Sequence, residues 1–210
     1  MFVERVTQQL RKPTASLLGW FVKKFLESNR ILEATAVNVC DIQPDNVVLE
    51  LGFGPGLGLQ EAARRLTHPA GKLYGLDISE YMYNTASERL KAEIQAGKVT
   101  LFLGSVEHIP LGDSTLDRVY HCNCYYFWPD LRAGSREIHR VMKPGALMVT
   151  ALHLEFLQKL LAAGLLKGTK WQPELYMEAL SETGFIDVRM EEQKMNGKSF
   201  PAIFATATKT

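Results

Sequence analysis

The chain has 210 residues, a formal net charge of +1, and 46% hydrophobic against 22% charged residues. Such a length suits one domain burying roughly 70% of its unfolded surface, and so balanced a charge offers nucleic acid no general attraction. Cys40, Cys122 and Cys124 are too few and too odd in number for a disulfide framework, which points to a reducing, cytoplasmic setting.

In chain order, Met1-Phe2-Val3-Glu4-Arg5 is charged too early for a secretory leader, and no apolar run reaches the ~20 residues of a membrane span. Residues 1–45 read as a helical preamble broken at Pro13-Thr14. Ser16 to Leu26 places Leu17, Leu18, Phe21, Val22, Phe25 and Leu26 on one stripe, with Lys23 and Lys24 opposite. Such a stripe ordinarily packs on a core; a lid, or weak contact with a membrane surface, is the alternative. Asn29 to Val39 is a second helix, and Asp41 to Asp45 leads into Val47–Leu51, a strand buried on both faces of a parallel sheet.

Gly52, Gly54, Gly56 and Gly58 then alternate, and Leu59 to Leu66 has helical spacing. Glycines let the backbone turn sharply and approach a ligand closely, and free N–H groups at the helix start are expected to offer donors. The spacing fits no G-x-G-x-x-G register, since Leu57 and Leu59 stand where a third glycine would fall. No Lys-Ser or Lys-Thr pair completes a phosphate loop either. An NAD-dependent enzyme is therefore disfavoured.

Lys72 to Asp77 is a second strand ending in a carboxylate. Carboxyl ends of adjacent parallel strands line one crevice, so Asp77 is predicted beside the glycine loop. There it can accept hydrogen bonds from both hydroxyls of a ribose, or cap the helix before Ser79-Glu80. Tyr81 to Gln95 is predicted as one helix stopped at Gly97, and Val99 to Gly104 as the third strand. Ser114 to Asn123 is the fourth, running into Tyr125-Tyr126-Phe127-Trp128, which fit either the core or the crevice. Leu131 to Met142 reads as a helix, Ala146 to Leu152 as the fifth strand, 153–170 as a mostly apolar segment, and Pro173 to Thr183 as a helix closed by Gly184. Phe185 to Glu192 and Pro201 to Thr208 pair across an Asn196-Gly197 turn. Cys122 and Cys124 share a strand face that excludes His121, and no second metal-spaced pair exists, so no metal is expected.

Glu50-Leu51-Gly52-Phe53-Gly54-Pro55-Gly56, an acid at a strand end followed by alternate glycines, resembles the first motif of class I S-adenosylmethionine-dependent methyltransferases. Arg140-Val141-Met142-Lys143-Pro144-Gly145 is similar to the arginine-x-leucine-lysine-proline-glycine-glycine run before strand five of that superfamily. The resemblance covers residues 46–208, and Arg11-Lys12-Pro13 with Ile42-Gln43-Pro44 narrows it to the ubiquinone/menaquinone C-methyltransferase-like (methyltransferase type 11) superfamily. It implies an α/β, Rossmann-like three-layer sandwich with a seven-stranded, mostly parallel sheet of order 3-2-1-4-5-7-6 and strand 7 antiparallel. The methyltransferase domain would span 46–210, behind an N-terminal helical segment or lid at 1–45.

The resemblance further implies S-adenosylmethionine as cofactor, held by Glu50, Gly52, Phe53, Gly54, Gly56, Asp77, Ile78, Ser105, Val106, Glu107 and Asn123. Ser105 stands where the family carries an acid for the adenine amino group, so its hydroxyl or Glu107 has to serve, with the Val106 N–H for a ring nitrogen. The implied reaction is in-line methyl transfer to a small, partly apolar acceptor, with much of the rate supplied by positioning. His121, Asn123 and Tyr126 are the catalytic candidates. His121 is better placed than His108 or His153 if a base is used, and the Asn123 amide suits the cofactor's amino-acid end or the acceptor. Asn123-Cys124-Tyr125-Tyr126 is faintly similar to the Asn-Pro-Pro-Tyr signature of amino-group methyltransferases, but it lacks both prolines and that substrate is not carried over. A catalytically silent scaffold of the same fold is the alternative, and a monomer or homodimer is expected, with no nucleic-acid partner.

Overall fold

The structure, a computed structural model, describes residues 2–166 and 168–208. Strands β1 (Val47–Leu51), β2 (Lys72–Asp77), β3 (Val99–Leu103), β4 (Leu116–Cys122), β5 (Met142–Ala151), β6 (Phe185–Met195) and β7 (Lys198–Ala207) form one sheet, in the order β3-β2-β1-β4-β5-β7-β6. Pairing is parallel from β3 through β5, and β7 runs antiparallel to both β5 and β6. The implied architecture is the observed one. Because the chain winds outward to β3 and restarts at β4, the connections after β1 and β4 diverge and leave a crevice at their carboxyl ends.

Alternation along the strands supplies both faces of the sheet with apolar groups. Val48 joins a core with Leu32, Ala36, Leu59 and Leu90, whereas Leu49 and Leu51 join one with Ile138, Leu157, Tyr176 and Leu180. The first face is covered by α3 (Arg30–Val39), α4 (Leu57–Arg65), α5 (Glu80–Arg89) and α6 (Lys91–Gln95). The second is covered by α7 (Leu131–Val141), α8 (Leu154–Ala162) and α9 (Pro173–Glu182). Within the N-terminal segment, α3 is integral to this sandwich, with Leu32, Ala36 and Val37 fully buried. Helices α1 (Phe2–Arg11) and α2 (Leu17–Glu27) stand instead at the crevice.

Several boundaries differ from the sequence expectation, among them β5, which begins at Met142 and not at Ala146. The single helix over 81–95 is two, α5 and α6, meeting at Leu90, where φ is −109° and the side chain is sunk in the core. Helix α4 begins at Leu57, two residues early, because its N-cap Gly56 turns with φ of 81°. The terminal hairpin strands run on to an Asn196-Gly197 turn with φ of 49° and 74°, which only residues tolerant of positive φ supply.

Candidate functional site

The glycine loop between β1 and α4 is the floor of the site. Gly52, Gly54 and Gly56 have φ of 63°, 51° and 81°. Their N–H groups are already engaged: Gly52 donates to the Leu76 carbonyl, Gly54 to Asp77 Oδ2 at 2.9 Å, and Gly56 to the Phe53 carbonyl. The donors expected at the helix start are therefore not these three glycines and would have to come from α4, which begins at Leu57. What Gly54 provides is room, since a Cβ there would meet only Leu26 Cδ1 at 3.9 Å and would otherwise project into the open cleft.

Glu50 lies beneath this loop and not in the cleft. Its carboxylate accepts from Tyr120 Oη at 2.8 Å and from the Leu59 N–H. It sits so close under α4 that a Cβ on Gly58 would come within 2.5 Å of Oε1. Burial, followed by the nearby Glu33 charge, pushes the Glu50 carboxyl well above its usual range. Glu50, Gly56 and Glu107, expected to contact the cofactor, are not among the lining residues, whereas Gly52, Phe53, Gly54, Asp77, Ile78, Ser105 and Val106 are. Ser105 thus lines the cleft and Glu107 does not, although the Glu107 N–H donates to Ser105 Oγ at 3.4 Å.

Asp77 is 7% exposed at the end of β2, with Oδ2 on Gly54 and Oδ1 accepting the Ser79 N–H at 2.8 Å. Burial raises its carboxyl to about 6, against three backbone hydrogen bonds that pull the other way. Ser79 itself caps α5. From α5, Arg89 donates to the Pro55 carbonyl at 2.7 Å and pairs with Glu27 of α2 at 3.3 Å. One guanidinium therefore ties the glycine loop to the N-terminal helices.

At the end of β4 the backbone leaves the strand through Asn123, whose φ is 49°. Asn123 Oδ1 accepts the His153 N–H at 2.9 Å, which orients the amide and leaves its Nδ2 buried without a partner. The same turn brings Cys124 Sγ to 3.4 Å from His121 Nδ1, correcting the expectation that the two lie on opposite faces, because alternation stops where the strand does.

His121 is wholly buried and absent from the cleft wall; its Nε2 meets Tyr176 Oη at 2.9 Å and Thr150 Oγ1 at 2.8 Å. Burial lowers its imidazole to about 3. His121 reaches the cleft only through Cys124, whose Sγ lies 3.4 Å from Nδ1 and which lines the wall, so the imidazole is not placed to touch an acceptor directly. Of the aromatic run, Tyr125 stacks on Tyr176 in the core at 4.5 Å, while Tyr126, Phe127 and Trp128 line the cleft. Among the described residues no group of three or more His, Cys, Asp or Glu is gathered as a metal would need.

More of the wall comes from residues that the sequence reading did not assign to the site. Leu10, Arg11, Pro13, Phe25, Leu26, Asn29 and Glu33 reach it from α1 to α3, and Phe156 and Leu160 from α8. Phe25 and Phe156 stack at 4.6 Å over the cleft. Glu33 carries a carboxylate oxygen, Oε2, that is closed off from solvent with no hydrogen-bond partner. Its sequence signal is the buried Ala36 and Val37 three and four positions on, which put an acid on the apolar stripe of α3.

This strand order, with a glycine loop after β1, an acid ending β2 and a crevice between β1 and β4, is the architecture of class I S-adenosylmethionine-dependent methyltransferases. A family model described as a methyltransferase domain matches residues 48–145. An uncharacterized methyltransferase of Bacillus subtilis, YdaC, is 36% identical over 117 residues, covering 56% of this chain and 61% of that protein. The demethylmenaquinone methyltransferase of Lactiplantibacillus plantarum is 35% identical over 102 residues, covering 49% of this chain and 43% of that protein. The chain thus spans well under two thirds of the length of these relatives. In fold, a SAM-dependent methyltransferase from Aquifex aeolicus superposes with a TM-score of 0.68 at 20% identity, covering 89% of this chain and 97% of that one. The cofactor of this class is S-adenosylmethionine, and the wall fits it: an open cradle at Gly54, a buried acid on β2, and orphaned donor and acceptor atoms at Asn123 and Glu33.

Proposed function

We propose that the chain transfers a methyl group from S-adenosylmethionine to a small, partly apolar acceptor. The observation that carries this reading is the mixed character of one cleft, with about 1200 Å³ of space counted out to its mouth. Asp77, Ser105 and Asn123, at or just past the ends of β2, β3 and β4, give it polar groups. Leu10, Phe25 and Leu26 of the N-terminal helices, with Phe127, Phe156 and Leu160, give it apolar surface. The polar groups suit a nucleoside with an amino-acid tail. The apolar surface suits the acceptor, since burying its carbon surface contributes about 25 cal/mol per Å².

In this reading Asp77 and Ile78 take the ribose, Ser105 and Val106 the adenine, and the Phe53–Gly54 backbone the chain between sugar and amino acid. When bound, the cofactor supplies an electrophilic methyl carbon. The protein contributes position and dryness: Phe25 on Phe156 covers the cleft, the N-terminal helices act as a lid, and Tyr126 holds the acceptor beside the β4 turn. Burial raises the Tyr126 phenol well above its usual range, so it stays a neutral hydrogen-bonding group. Relatives named for 24-methylenesterol in Arabidopsis thaliana and for demethylmenaquinone support an apolar acceptor.

The test is transfer of labelled methyl from the cofactor into a metabolite extract divided into lipid-soluble and aqueous fractions. A labelled, organic-soluble product heavier by one methylene is expected. Tight binding of the demethylated cofactor with no transfer into any fraction would establish the silent scaffold instead.

A further inference from the structure

Glu33 is an acid whose carboxyl takes a hydrogen bond from the Cys122 thiol but whose second oxygen the fold leaves unused. The residue as a whole is half-buried, yet Oε2 has no solvent contact and no partner, and the carboxyl forms no ion pair among the described residues. An unpaired carboxylate held out of water is costly, and such a group persists where something else neutralises it. Across the same cleft Asn123 presents the complementary orphan, a buried amide N–H whose orientation is fixed by the His153 backbone. A lone acceptor of negative charge and a lone donor on one wall match a zwitterion, an ammonium beside a carboxylate. A sulfonium has no N–H to donate, and an uncharged apolar acceptor has neither group.

We propose that Glu33, on the N-terminal helix α3, receives the α-ammonium of the cofactor's methionine moiety, with the Asn123 amide as donor to its carboxylate. The proposal rests on S-adenosylmethionine as cofactor and adds an anchor from outside residues 48–145, the matched methyltransferase domain. Burial supports it, raising the Glu33 carboxyl to about 7 against the Cys122 thiol that hydrogen-bonds to it. The other ionisable groups coupled to it are Glu50 on β1 and Tyr120, Cys122 and Cys124 on β4 and its turn, all acids. Arg11 of α1 lines the same cleft. An incoming ammonium therefore favours ionisation of Glu33, and binding below about pH 7 releases a proton.

Calorimetric titration decides it, with S-adenosylhomocysteine and its desamino analogue as probes against wild type, Glu33→Gln and Glu33→Asp. Glu33→Gln is expected to bind S-adenosylhomocysteine about tenfold more weakly or worse, with Glu33→Asp recovering part of the loss. Wild type and Glu33→Gln should bind the desamino analogue equally. At pH 6 the wild type should release protons on binding, read from the dependence of the heat on buffer. Glu33→Gln should release fewer, keeping only the share of Asp77, whose carboxyl burial raises to about 6. Equal affinity of wild type and Glu33→Gln for S-adenosylhomocysteine would overturn the role of Glu33 while leaving the cofactor assignment standing. No binding of S-adenosylhomocysteine by wild type would overturn both.

Discussion

Asp77 has two structural partners, Gly54 and Ser79, and still faces the cleft with lone pairs to spare. Asp77→Ala should weaken cofactor binding about ten- to a hundredfold, as loss of a hydrogen bond to a charged group implies. It should also cost about 1–3 kcal/mol of stability, because two backbone N–H groups lose their acceptor. Asp113→Ala is the control: that side chain is 78% exposed and pairs with Arg140 away from the cleft. Titration with S-adenosylhomocysteine and urea unfolding of both variants separate the two effects; unchanged affinity in Asp77→Ala would leave only the structural duty. His121 holds two hydroxyls in the core, those of Tyr176 and Thr150. His121→Leu should lose about 1–3 kcal/mol, since the Tyr176 and Thr150 hydroxyls are left unpaired in the core. A pH–rate inflection abolished by His121→Asn would show that it acts as a base.

At the scale of elements, the contact between α2 and α8 is the test of the lid. The Phe25–Phe156 stack joins two helices that share no sheet strand, and it covers the cleft. Phe156→Ala should raise KM for the acceptor while affinity for S-adenosylhomocysteine stays within twofold or so. A double-mutant cycle on Phe25 and Phe156 should give about 0.5–1.5 kcal/mol of coupling in urea unfolding. Additive losses would mean that the rings do not meet in solution. Elements that obey local rules were legible in advance: the alternate glycines after β1 and the Asn196-Gly197 turn. The α2 stripe was expected to pack on a core, yet Leu17 and Phe21 are exposed and only Phe25 and Leu26 reach the cleft. The break at Leu90 was not legible, since its neighbours are good helix formers and the turn inward serves a core contributed by α3 and α4.

Across the whole molecule, three buried carboxyls bear on one region. Burial raises Glu33 to about 7 and Asp77 to about 6, and pushes Glu50 up as well. A folded-state value above the unfolded one gives stability that is present below about pH 4 and lost as pH rises through the folded value. The ligand-free protein should therefore melt at a lower temperature at about pH 8 than at about pH 5.5, within the range where its other groups keep it folded. Glu33→Gln should flatten that slope, and differential scanning calorimetry across pH reads it directly. S-adenosylhomocysteine at a hundredfold excess over its Kd should add about 2.7 kcal/mol, while NAD adds none. By itself the sequence determined the strands, the glycine loop and the acid closing β2, because periodicity and turn chemistry depend on residues a few positions apart. Only the tertiary structure decided which side chains share the cleft. Glu33 and Phe25 arrive there from helices ahead of the sheet, Glu50 is turned under the loop by Tyr120, and the left-handed Asn123 ends the alternation that had placed His121 and Cys124. Each of those outcomes depends on how distant segments pack, which no local pattern encodes.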